Sequence, residues 1–202
     1  MAETEVPRFL LKEEEEQQQV TQPSEEVKAA SPTEISLRTF ELSDLDDYMV
    51  WASDKRVTRF CSWDAYTSKD DLLKYMTETV LPHPWFRAVC VDGRPVGAIS
   101  VALNSGNDRC RGMLGYVLAF EHWGRGIMTR AVRMAAVSVF RELPELERVE
   151  ALVDVENVAS QRVVEKAGFL REGVLRKYLF MKGRSRDMVI YSFLATDQPP
   201  AT

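Results

Sequence analysis

The chain has 202 residues, enough for one domain with a full core. Its hydrophobic fraction of 45% and charged fraction of 28% are ordinary for a globular protein; its net charge of −5 sits in one place, because residues 1–34 carry nine acids against three bases and the rest carries 22 against 23. A near-neutral body without a basic block speaks against direct nucleic-acid binding, no apolar run nears the roughly 18 residues of a membrane span, and two histidines with three cysteines lacking a C-x-x-C pair offer no metal set and read as reduced thiols in the cytoplasm, or the nucleus.

Residues 1–34, with Glu13 to Glu16 followed by three glutamines, are too charged to bury a core and are expected to form a disordered acidic arm. Their acid run is read as solvated, with contact to a basic partner as the functional alternative. The folded domain is expected over 35–195 and a loose tail over 196–202. Order begins with the alternating strand Ile35 to Phe40. Ser43 and the acids Asp44, Asp46 and Asp47 open a helix reaching about Ser53, and Thr67 or Ser68 caps a second through Tyr75 and Val80. Trp85 to Val91 and Val96 to Leu103 form a hairpin about Asp92-Gly93, and Arg111 to Ala119 follows as a strand. Gly124 to Phe140 reads as a largely buried helix, Arg148 to Val155 as a strand, and Asn157 to Lys166 as a short helix ended by Gly168. Val174 to Met181 and Met188 to Leu194 flank a turn at Lys182 to Ser185. The order is β-α-α-β-β-β-α-β-α-β-β, a mixed α/β chain with antiparallel hairpins and one central β-α-β crossover.

Two segments carry chemistry. In Trp123-Gly124-Arg125-Gly126-Ile127-Met128-Thr129-Arg130, two glycines stand between a strand and a long helix. Bare backbone N–H groups and the positive end of the helix dipole can there meet a phosphate, with Arg125, Arg130 and Thr129 at the rim. A tight turn needing glycine for steric reasons alone has equal weight. A P-loop is excluded because Ile127-Met128 stand where Lys-Ser/Thr belongs, and a dinucleotide fingerprint lacks its third glycine and distal acid. The second segment runs from Asn157 to Phe169 directly after a strand. Asn157 reads as an N-cap and Ser160 as a helix-surface hydroxyl; their functional reading sets both beside the phosphate turn.

On these residues the chain resembles the GNAT superfamily of acyl-CoA N-acyltransferases, and within it the group of bacterial ribosomal-protein N-acetyltransferases RimJ and RimL. The matching pieces are Gly115-Tyr116-Val117-Leu118, Trp123-Gly124-Arg125-Gly126-Ile127, and Asn157-x-x-Ser160-x-x-Val163-x-Glu165-Lys166-x-Gly168-Phe169, with Glu172 to Arg176 and Asp187 to Ser192 extending the match. The resemblance covers about residues 35–195. It implies the GNAT fold: a mostly antiparallel sheet, helices on both faces, and one central parallel strand pair (111–119 and 148–155) that splays apart. It implies acetyl-CoA as co-substrate and a primary amine as acceptor, either a protein N-terminus or a small amine; the chain is expected to be a monomer or weak dimer. Pyrophosphate would lie on the amides of Trp123, Gly124, Arg125, Gly126, Ile127, Met128 and Thr129. Pantetheine would pair with backbone at Val117, Leu118 and Ala119, and Asn157 would hold its far end with Ser160 near the sulfur.

Two positions depart from the pattern: Glu121 stands where Gln or Arg is common, and Val164 stands where many members carry a tyrosine acid. Ser160 or water is then the expected proton donor to the thiolate. Glu150, Asp154 and Glu156 are the candidate bases, the first two sharing strand parity. An ordinary solvated strand face is the competing reading for them. Tyr116 is a candidate for the acceptor cleft or the core. Trp63 is the aromatic with the best claim to exposure, and Lys55, Arg56 and Arg59 read as a solvated helix end. Amine acetyltransfer is the leading reading; a catalytically silent acetyl-CoA-binding module is the alternative, kept by Val164.

Overall fold

The computed structural model describes residues 34–198. All of the expected arm except Glu34, and the last four residues of the expected tail, lie outside the described residues. Within them, seven strands form one sheet: β1 (Ile35–Arg38), β2 (Phe86–Val91), β3 (Arg94–Leu103), β4 (Arg111–Leu118), β5 (Arg148–Asp154), β6 (Leu170–Met181) and β7 (Arg184–Leu194), in the order β1-β2-β3-β4-β5-β7-β6. Every pairing is antiparallel except β4 with β5. The two hairpin tips fall where dipeptides tolerate left-handed backbone, at Asp92-Gly93 (φ 49° and 81°) and Lys182-Gly183 (φ 50° and 79°).

Helices cover both faces. On one, α4 (Ile127–Glu142) and α5 (Val158–Ala167) press Ala131, Val132, Ala135, Val139 and Val164 against Val101, Val149, Ala151 and Tyr191. Small alanines on α4 let it lie close to the sheet, which is why its apolar surface exceeds a single stripe. On the other face, α1 (Leu45–Ala52), α2 (Lys55–Thr58) and α3 (Lys69–Tyr75, continued by one wide turn over Met76–Val80) pack Tyr48, Trp51, Leu72 and Met76 on Ala88, Cys90 and Ala98. Ser68, one of the two caps expected, accepts the N–H groups of Asp70 and Asp71 at 3.2 and 3.4 Å.

Three boundaries differ from expectation. The last strand begins at Arg184, not Met188, which shortens the expected turn to Lys182-Gly183; the first helix ends at Ser53 as expected, before the separate turn α2 capped by Asp54. The long helix starts at Ile127, not Gly124, because Gly124 and Gly126 adopt φ of 73° and 74°. Finally, β6 begins at Leu170: Phe169 N–H closes on Val164 after the left-handed Gly168, and the chain is extended from there.

Candidate active site

The turn between β4 and α4 is built by its glycines. Their positive φ turns the chain at no steric cost, and open space surrounds the point where a Cβ would stand on either one. Arg130 N–H donates to Gly126 O, and α4 has no side-chain N-cap. Among the described residues, the N–H groups of Gly124, Arg125, Gly126, Ile127, Met128 and Thr129 therefore have no acceptor. Trp123 corrects the expected set, since its N–H is spent on Phe120 O at 3.1 Å and its indole N–H on Leu118 O at 2.8 Å. Glu121, next to this turn, is exposed and does not line the cleft below.

That cleft opens because β4 and β5 part. They pair only through Arg111↔Arg148, Gly112↔Val149 and Met113↔Glu150, although β4 runs on to Leu118 and β5 to Asp154. The gap between them is a cleft of about 920 Å³, lined on the helix side by Gly124, Gly126, Asn157 and Ser160. The β4 edge along it follows from ladder alternation. Ala119 N–H donates to Val96 O and Asn104 N–H to Arg111 O, so odd-numbered β4 residues turn their backbone to β3, and Tyr116 and Leu118 turn theirs to the gap. Of the expected trio Val117, Leu118 and Ala119, only Leu118 thus presents its N–H to the cleft. The others are consumed by the β3 ladder.

At the cleft floor, residues 44 positions apart in sequence meet: Tyr116 Oη lies 2.6 Å from Ser160 Oγ and donates to Ser160 O at 3.1 Å. Burial pushes the Tyr116 phenol well above its ordinary value, against the opposing hydrogen bond from Ser160, so it stays protonated and a donor. Asn157 caps α5 through its Oδ1, which accepts Ser160 N–H at 3.2 Å, and it lines the cleft as well. The cap and the site are one residue, and the capping bond fixes Ser160 at the gap. Val164, the position of the absent tyrosine, is fully buried in the core.

The carboxylates divide sharply. Glu150 is buried, takes Arg111 at 3.1 Å and Arg148 at 2.8 Å, and is not among the cleft residues. It belongs to the last bonded β4–β5 pair, where the strands are still together, so it cannot reach the opening. Asp154 shares its parity but stands four residues on, about 13 Å along the strand, where β5 is free of β4. Asp154 and Glu156 both line the cleft, and both are bound by arginines: Asp154 by Arg186 at 3.0 Å, Glu156 by Arg184 at 2.5 Å and Arg186 at 3.3 Å. The bond from Arg184 is the main cause that holds Glu156 below its usual carboxylate range. Neither arginine stood out in the sequence. They follow a turn, and only the β5–β7 register (Asp154↔Met188) brings them to the acids. Trp63, expected exposed, is half-buried against the α1–α3 face, and Tyr178 and Met181 close the cleft from β6.

A family model for the acetyltransferase (GNAT) domain matches residues 34–170. The chain belongs to the GNAT acetyltransferase family. It is an acetyltransferase, and enzymes of this family use acetyl-CoA. Among its relatives is the probable N-acetyltransferase YjcK of Bacillus subtilis, 31% identical over 180 residues, which are 89% of this chain and 92% of YjcK. Among solved structures, Mycobacterium smegmatis RimJ in complex with CoA-disulfide superposes with a TM-score of 0.68 at 24% identity, covering 82% of this chain and 85% of RimJ. A spermidine N-acetyltransferase from Vibrio cholerae in complex with CoA and spermine reaches the same TM-score at 21% identity, over 79% and 95%. These last two likenesses are of fold. Among the described residues, no helix is long and apolar enough to cross a membrane, and no three His, Cys, Asp or Glu side chains gather as metal ligands.

Proposed function

We propose that this GNAT enzyme transfers the acetyl group of acetyl-CoA directly to the α-amine of a peptide. The observation that carries the reading is the row of six unpaired amides, Gly124 to Thr129, at the mouth of a cleft whose floor is the Tyr116–Ser160 pair. Six unpaired donors at a helix N-terminus favour a diphosphate, and Arg162 and Lys166 of α5 add positive charge to the same cleft. Leu118 N–H and the Asn157 side chain are the polar groups placed to hold an amide-bearing arm along β4.

Acetyl-CoA supplies a thioester whose carbonyl an amine can attack. This chain orients the arm, keeps a main-chain donor of β4 (Leu118 or Tyr116 N–H) toward the developing oxyanion, and gives a proton to the departing sulfur from Ser160 Oγ. Tyr116, whose Oη lies 2.6 Å from Ser160 Oγ, positions that hydroxyl, which compensates for valine at position 164. Proton removal from the acceptor falls to Asp154 and Glu156, through water. The bond from Arg184 makes Glu156 a weak base, and this points to an amine that needs little help. An α-amine has a pKa of about 7.7–8.0 against about 10.4 for an alkylamine, so at neutral pH its free-base fraction is greater by more than 10²-fold.

The test has two arms. Calorimetry with acetyl-CoA and CoA should show binding with a heat of association. Mass spectrometry after incubation with peptides and polyamines should show acetylation at peptide α-amines. Binding without transfer to any amine would favour the silent-module reading, and absence of binding by folded protein would remove both.

A further inference from the structure

The acceptor half of the cleft carries arginines that the transfer chemistry does not use. Asp154 and Glu156 are the only acidic side chains among its described lining residues. Around them stand three guanidiniums, of Arg59, Arg184 and Arg186. Asp154 has both oxygens engaged, Oδ1 by Glu156 N–H at 2.8 Å and Oδ2 by Arg186. Glu156 is shared between Arg184 and Arg186. Arg186 is nine-tenths buried, and its Nε is a buried donor without an acceptor. Arg59 lines the cleft and stacks its guanidinium 5.0 Å over Phe60; it contributes to the field on Glu156, yet has no ion-pair partner among the described residues. The cluster is one anion short. Two further cations near this rim are satisfied, Lys182 by Asp64 and Trp63 O and Arg56, which lines the cleft, by Asp54.

A polyamine is badly served by such a wall: it needs unpaired carboxylates, and both are neutralised here. An acceptor bearing a carboxylate meets the opposite situation. Arg59 offers a planar fork of donors, preset by its stacking on Phe60. Resting on the peptide-acetylation reading, we infer that the acceptor is a peptide with an acidic side chain within its first few residues, recognised by Arg59 at the edge of the Asp154–Glu156–Arg184–Arg186 cluster. The helix-end arginine, read from sequence as merely solvated, is thereby a specificity residue.

The experiment compares kcat/KM for one peptide series in which residues two to four are glutamate, glutamine or lysine, with spermidine alongside, using wild-type protein and the variants Arg59→Gln and Arg59→Glu. An acetyl-CoA thermal shift on each variant monitors folding. Glutamate peptides should exceed lysine peptides by about tenfold, mostly through KM, and the advantage should shrink with added salt. Arg59→Gln should erase the ratio and Arg59→Glu reverse it. Equal use of the three peptides, or preference for lysine or spermidine, overturns the inference while leaving acetyl transfer intact. So does a rise in the acetyl-CoA Kd of Arg59→Glu as large as its loss of turnover, which would give the arginine to the donor. No transfer to any peptide α-amine would instead remove the function on which the inference rests.

Discussion

The two halves of the cleft are made of different materials. The half we assign to the donor is main chain: six consecutive amides left without partners by a turn that glycine adopts without strain, and one strand edge left without a partner by the splay. The half we assign to the acceptor is side chain: arginines and carboxylates from the ends of α2 and β5 and from β7, with aromatic walls from α1–α3 and β6. A main-chain site reads a chemical class and tolerates substitution around it, because every residue type except proline has the same N–H. A side-chain site can be rewritten one residue at a time. One fold can thereby keep its donor while its acceptor changes.

The comparison can be broken from either side. The largest effect is expected for Gly126→Val. A β-branched residue at φ 74° is strained by roughly 1–3 kcal/mol, and it would stand in the space the amides face. The acetyl-CoA Kd measured by calorimetry should rise about 100-fold; a change within twofold would detach this turn from the donor. Next, Ser160→Ala should lower kcat about 30-fold with little change in acetyl-CoA affinity, the loss of a general acid being moderated by a leaving group that is itself a fair anion. Tyr116→Phe should cost less, and the double variant no more than Ser160→Ala, if the phenol acts only through the serine. An additive double variant would make Tyr116 an independent participant.

Smaller effects separate structure from chemistry. Glu150→Gln leaves two arginines facing a neutral amide, and because both remain partly solvated the cost should be about 1–2 kcal/mol. It should appear as a lower Tm without a loss of kcat/KM. Abolished turnover in stably folded protein would restore Glu150 as a base. The smallest effect concerns Glu172, whose carboxyl is pulled down to about 2 by Arg148 first and by Ser192 next. A folded value below the ordinary 4.5 means that its share of stability is complete above that pH and is lost as pH falls toward 2. The Tm difference between wild type and Glu172→Gln should therefore vanish over that window; a constant difference would assign the effect to packing.

Much of this molecule is local and therefore readable. Gly124-x-Gly126 dictates a turn and free amides within a few residues, Asn157 and Gly168 bracket α5, and the hairpin dipeptides set register. Those features depend on backbone dihedrals of neighbouring residues, which sequence patterns report directly. Glu150 and Asp154 mark where such reading ends. Parity correctly gave them one face, but β4 and β5 separate between them, and that separation depends on which strands lie on either side. Likewise, nothing near Tyr116 announces Ser160, and nothing near Asp154 announces Arg186.

By itself, then, the sequence determined the elements, the glycine turn with its free amides, and the family pattern it carries. Tertiary structure alone decided which carboxylates reach the cleft, which arginines neutralise them, and that a phenol supports the serine. The reason is range: a turn is decided by dihedrals along a few bonds, whereas a charge acts on whatever the folded chain has placed within a few ångströms of it.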